Sequence, residues 1–235
     1  MKKLLILFLL ISQFSFGQSV NSQYIGLSVG ASFPLNDFKK AVLDDSTSGF
    51  ANTGIAVSFD YAYRFTHNFG MQIIINYSGN GMNDGSYKDQ LNTAYPEYDF
   101  NVESTESWTS GGMLVGPYLK FPLIDNLSLD IKALGGYFAS YSPRVLIRTA
   151  KIDDINDKGE YYVERAKGYG FGYLLGAGFK YKVNSYYVLL FGNYISSSIE
   201  FKDAVGWDWE GEPYSNSFNQ KVDYMTFTVG VGYIL

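Results

Sequence analysis

Along most of the chain, apolar residues alternate one by one with small or polar ones. That is the period of a strand whose two faces meet different surroundings. The alternation predicts eight strands, at 24–33, 54–65, 69–79, 108–121, 127–141, 167–183, 186–200 and 222–235. The connections differ in length by turns. Segments 34–53, 80–107, 143–166 and 201–221 are long and polar, whereas 66–68, 122–126 and 184–185 are short and hold Asn, Asp or Ser. Long and short loops in strict alternation predict an up-and-down meander with every long loop at one end. An even strand number returns both termini to the other end.

The two faces then decide between water and lipid. In the last strand Met225, Phe227, Val229, Val231, Tyr233 and Leu235 share one parity, while Thr226, Thr228, Gly230 and Gly232 take the other. The sixth sets Tyr169, Phe171, Tyr173, Leu175, Phe179 and Tyr181 against Gly168, Gly170, Gly172, Gly176, Gly178 and Lys180. A water-soluble barrel buries its large apolar face and wets the other with charge. Here the second face is mainly Gly and Ser, which suits the crowded interior of a narrow barrel. The apolar face is left for lipid, where closure must satisfy every strand edge. The fold class predicted is all-β: an eight-stranded antiparallel up-and-down transmembrane β-barrel, closed, with N and C termini periplasmic. Aromatics on the outward parity strengthen it. Tyr63, Phe65, Phe69, Phe121, Tyr181 and Tyr233 lie by the short turns; Phe33, Tyr77, Tyr137, Tyr141, Tyr169 and Phe171 lie toward the long loops. Two such rings are the girdles of a membrane barrel. Two places fit less well. Pro117 inside the fourth strand calls for a bulge, and the seventh strand carries apolar residues on both parities.

Composition agrees with this picture. Aromatics reach 18%, charged residues only 17%, and Gly numbers 25. A net charge of −5 leaves no nucleic-acid footprint. The absence of Cys excludes disulfides, thiolate metal sites and a lipid-modified N-terminal cysteine. Lys2 and Lys3, the apolar run 4–11, and small Ser15 and Gly17 before Gln18 predict a cleavable signal peptide over 1–17, with the barrel domain at 18–235.

Thr228, Gly230, Tyr233 and Leu235 resemble the terminal assembly signal of outer-membrane barrels, with Leu standing where Phe is usual. With its strand layout, the mature chain resembles the OmpA/OmpX-like eight-stranded outer-membrane barrel family, PorT-like members included. The resemblance implies residence in the outer membrane as a monomer among lipid and lipopolysaccharide, with the barrel-assembly machinery as partner during biogenesis. No peptidoglycan-binding domain is expected after the last strand.

Candidate chemistry is sparse. The single histidine, His67, falls in the short turn 66–68, away from the long loops, and is expected to be solvated rather than catalytic. The inward parity carries Asp60, Arg64, Lys120, Asp130, Lys132 and Lys180. Such charges must pair, and Lys120 and Asp130 are expected to face each other across the turn 122–126. Among the loops, Trp207, Asp208, Trp209, Glu210 and Tyr214 set aromatic faces beside acids, a mixture suited to sugar stacking and hydroxyl hydrogen bonds. Asp153, Asp154, Asn156, Asp157 and Glu160 depart from calcium-loop spacing and suggest a hairpin with its tip near Gly159, between strand-like runs 145–152 and 160–165. Segment 80–107 is acidic and expected to be solvated. No metal, cofactor or nucleic acid is expected. These residues imply a non-enzymatic outer-membrane protein, structural or acting at the surface through its long loops on an unspecified ligand. A small-solute pore, an envelope lipid-modifying enzyme and a PorT-like secretion or motility accessory barrel are the alternatives.

Overall fold

The computed structural model describes residues 22–154 and 156–235; the predicted signal peptide lies outside the described residues. The described residues form one antiparallel sheet of eleven strands. In order they are β1 (Ser22–Pro34), β2 (Ala51–Arg64), β3 (Phe69–Met82), β4 (Tyr98–Ser104), β5 (Trp108–Ile124), β6 (Leu127–Tyr141), β7 (Val145–Lys151), β8 (Lys158–Val163), β9 (Lys167–Val183), β10 (Tyr186–Trp207) and β11 (Pro213–Ile234). Among the described residues two helices interrupt them, α1 (Asn36–Lys39) and α2 (Asp84–Ala94). Strands pair in the series β11–β1–β2–β3–β5–β6–β9–β10, and a further ladder joins β10 to β11. Each of these eight therefore has a partner on both sides.

The eight coincide in place with the eight segments of alternating hydropathy, because parity is written locally in the chain. Large apolar residues of one parity are exposed along them: Leu27 and Val29 on β1, Ile55 and Phe59 on β2, Met113 and Val115 on β5, Phe227, Val229 and Val231 on β11. Phe171 is 78% exposed. An apolar band this extensive is foreign to a water-facing surface. The facing of β10 is settled too. Tyr187, Leu189 and Phe191 are buried, while Tyr186, Val188 and Leu190 are exposed.

No bulge occurs at Pro117. The pairs Val115–Gly135 and Tyr118–Lys132 keep one register across it, and the ladder to β6 merely lapses at residues 116 and 117. On its other side Pro117 pairs in step with Met71. The ring has no N–H to donate, so the strand loses a bond without gaining a residue. The irregularity of β5 lies instead between Pro122 and Ile124.

The long connections hold more structure than their polarity predicts. β10 and β11 run well past residue 200 and 222, pairing as far as Trp207–Pro213. The hairpin of β7 and β8 pairs Thr149 with Gly159, so Gly159 lies within the ladder and the connection falls before it, at 152–157. Segment 80–107, expected to be solvated, contains α2 and β4. Asn83 accepts from Ser86 N and caps α2; Tyr87, Leu91 and Tyr95 recur at helical spacing along it. Segment 34–53 turns back over the mouth and inserts Phe38, 1% exposed, against Trp108 at 5.7 Å. Trp108 Nε1 donates to Gly49 O at 2.8 Å, which ties that segment down.

Candidate functional site

Two clusters of side chains are candidates, one enclosed by the eight paired strands and one above them. The enclosed space is filled in layers. Nearest the short turns, Asp130 and Lys180 form an ion pair, both about 2% exposed. The Lys180 ammonium also sits over the rings of Tyr24 and Tyr118, at 4.3 and 5.1 Å. Next, Lys132 Nζ lies 3.9 Å from Asp60 and 4.0 Å from the centre of the Phe191 ring. Gln72 Nε2 donates to Asp60 Oδ1 at 2.9 Å. Ile74, Leu114, Leu134, Phe138, Leu174 and Ile195 form the apolar layer beyond. A polar layer follows, in which Tyr224 donates to Asn76 Oδ1 at 2.8 Å and Ser140 bonds Ser110 at 2.9 Å. Phe38, Trp108 and Phe201 close the top. The small gap beside Phe38, Ser78, Asn80 and Ser140 is too tight for a water molecule.

Four of the six charges singled out in the sequence, Asp60, Asp130, Lys132 and Lys180, are brought together in buried pairs. Arg64 and Lys120 are only half-buried. Lys120 is opposite Asp130 in register, as expected, but the carboxylate pairs with Lys180 on the other neighbouring strand. Lys120 Nζ instead lies 5.9 Å from the Tyr187 ring. Strand stagger decides which of two flanking lysines reaches a carboxylate, and stagger is not visible in one strand's pattern.

The second cluster stands above the strands. β4, β7 and β8 pair in series and are anchored on β10 through Gly206–Val163 and Trp207–Tyr162. With α2 they build a separate small core of Leu91, Phe100, Val102 and Ile147. Between this core and the β10–β11 tip lies an open cavity of about 680 Å³, within the size range of small-molecule sites, about 300–1,000 Å³. Aromatic walls come from Tyr87, Tyr95, Tyr98, Phe100, Tyr161 and Trp209; charge comes from Asp44, Asp157, Lys158 and Glu210. Trp209 packs on Tyr161 at 5.4 Å and on Phe100 at 6.2 Å.

Of the five loop residues singled out, Trp209 and Glu210 line this cavity. The others act behind it. Trp207 stacks on Tyr162 at 4.1 Å. Asp208 accepts from the backbone N–H of Glu210 and Glu212 and fixes the turn. Tyr214 donates to Tyr161 Oη at 2.6 Å. Burial, with this hydrogen bond second, pushes the Tyr214 phenol well above its ordinary range, and burial raises Tyr87 likewise. Both stay neutral at physiological pH, and Tyr214 keeps its proton to donate. Tyr87, Tyr98, Phe100 and Tyr161 are cavity residues that sequence reading missed. The signal was present, since Tyr98, Phe100 and Val102 alternate with Asp99, Asn101 and Glu103.

His67 is exposed in its turn. At the C-terminus, Thr228 is buried, whereas Tyr233 and Leu235 face outward; Tyr233 packs edge-on against Tyr186 at 5.4 Å. A Cβ at Gly230 would meet Ser28 and the Leu27 carbonyl.

No family model matches the chain, and no curated protein does. Solved structures with a similar course of the chain are outer-membrane proteins. The attachment invasion locus protein Ail of Yersinia pestis is 12% identical with a TM-score of 0.44, covering 92% of this chain and 99% of that one. A major outer membrane protein of Thermus thermophilus is 10% identical with a TM-score of 0.49, covering 91% and 99%. OprG of Pseudomonas aeruginosa is 13% identical with a TM-score of 0.41, covering 93% and 98%. At these values the likeness assigns neither ligand nor activity.

Proposed function

We propose that the chain is a closed eight-stranded barrel of the outer membrane, with periplasmic termini, that binds a sugar-like ligand in the aromatic cavity of its outside loops. It acts without catalysing a reaction. The exposed apolar face, ringed by Tyr and Phe at both strand ends, supports the membrane reading. The cavity carries the functional reading: rings to stack on pyranose faces stand beside carboxylates that accept hydroxyl hydrogen bonds. Three carboxylates against one lysine on its wall favour neutral or amino sugars over polyanions.

Trp209 is the central anchor. Truncating such an aromatic costs about 2 kcal/mol or more, close to thirtyfold in affinity. Titrating the detergent-solubilised protein with chitotriose and maltotriose should change tryptophan fluorescence, and Trp209→Ala should weaken binding at least that far while heat-modifiable migration persists. No response to any member of a neutral and amino-sugar panel overturns the ligand reading.

The filled interior supports a plugged barrel over a solute pore. Planar-bilayer recordings are expected to show no stable open state. A steady conductance that changes with Lys132→Gln would reverse that reading.

A further inference from the structure

A second cavity lies on the outward face, away from both clusters. It is a groove of about 490 Å³ running across β3, β5, β6 and β9 toward the long-loop end. Gly111 and Ala139 leave its floor without bulk; Tyr77, Met113, Tyr137 and Tyr169 wall it. A Cβ added at Gly111 would touch nothing closer than 3.5 Å, so the glycine is not demanded by close strand packing. At the loop end two cations overhang it. Lys167 Nζ lies 5.0 Å from the Tyr169 ring and 5.6 Å from that of Tyr141; Arg165 lies 4.7 Å from Tyr141. Arg165 also donates to Thr109 Oγ1, on the groove wall, at 2.8 Å, and pairs with Glu106 at 3.4 Å. Among the described residues no carboxylate lies within ion-pair distance of Lys167. The cluster thus keeps uncompensated positive charge on a chain that is acidic as a whole.

We infer that this groove holds one anionic, phosphate-bearing membrane lipid, with an acyl chain along Gly111 and Ala139 and its phosphate against Lys167 and Arg165. The inference rests on the membrane reading above. Charge complementarity names the occupant. An apolar trough accepts any chain, but the positive charge that Lys167 leaves at its head, beside the Arg165–Glu106 pair and level with the outer aromatic ring, selects a phosphate whose charge is not balanced by choline. Basic residues at a membrane surface each contribute about fivefold in attraction to anionic lipid. A lysine held over the Tyr141 and Tyr169 rings above a shaped trough converts that attraction into retention of a particular molecule.

Native mass spectrometry of the protein released from nanodiscs of mixed phosphatidylglycerol and phosphatidylcholine tests this. One phosphatidylglycerol should be retained in preference to phosphatidylcholine by about fivefold. Lys167→Glu should abolish the preference. Gly111→Leu, and Ala139→Leu as a second filling variant, should abolish retention of both lipids without altering heat-modifiable migration. Equal retention of the two lipids, or wild-type behaviour of Lys167→Glu or of the folded filling variants, overturns the inference. A chain that stays monomeric in water without detergent would instead overturn the membrane reading itself.

Discussion

Lys180→Met is expected to destabilise the folded protein by about 3–5 kcal/mol, because it strands the Asp130 carboxylate in the interior. Asp130 is about 2% exposed and its ion pair is with Lys180. Removing one partner of a buried pair leaves a charge with neither water nor counter-charge, whereas removing both with apolar or neutral groups is often close to neutral. Asp130→Asn combined with Lys180→Met should therefore recover most of the loss. Lys120→Met supplies the contrast. Lys120 faces Asp130 in register yet makes no ion pair with it, so its loss should cost about 1 kcal/mol or less, as for an exposed pair. Urea unfolding in detergent micelles, followed by tryptophan fluorescence, measures these variants side by side. A larger loss from Lys120→Met than from Lys180→Met would show that the pairing is assigned wrongly.

Gly30→Val and Gly136→Val are expected to prevent assembly. A Cβ at Gly30 would land on the Phe227 carbonyl and the Thr228 backbone; at Gly136 it would land on the Met113 carbonyl. Overpacking in a core ordinarily costs about 1–3 kcal/mol because neighbouring side chains give way. These obstacles are backbone atoms of hydrogen-bonded ladders, Gly30–Thr228 and Leu114–Gly136, which cannot yield without breaking strand pairing. The loss should exceed that range and appear as absence of the faster-migrating folded band on unheated gels. Gly81→Val is the control, since nothing lies within 4 Å of its Cβ position. Normal assembly of the Gly30 and Gly136 variants would show that the inner face is less crowded than the register implies.

The candidate site divides along the same physical line as these predictions. Trp209 and Glu210 stood out because two tryptophans among acids are rare in a polar loop, and composition is local information. Their partners Tyr87, Tyr161 and Phe100 come from three other segments, and only the pairing of β4, β7 and β8 brings them to one cavity. Short runs such as 98–104 carry a weak period, and charged neighbours mask it.

Local chain pattern was enough to place the segments of alternating strand, to give the facing of all but the one at 186–200, and to tell which connections are long. Side-chain direction alternates residue by residue, so Phe227, Val229 and Val231 against Thr226, Thr228 and Gly230 fix a face without knowledge of any partner. Three-dimensional packing settled what depends on stagger and on chain segments meeting from afar. It chose Lys180 over Lys120 for Asp130, turned Tyr187 rather than Tyr186 inward, folded Phe38 over the mouth, and gathered the loop aromatics. Those outcomes are set by the relative shift of neighbouring strands and the closing of long loops, quantities that no single segment of the chain encodes.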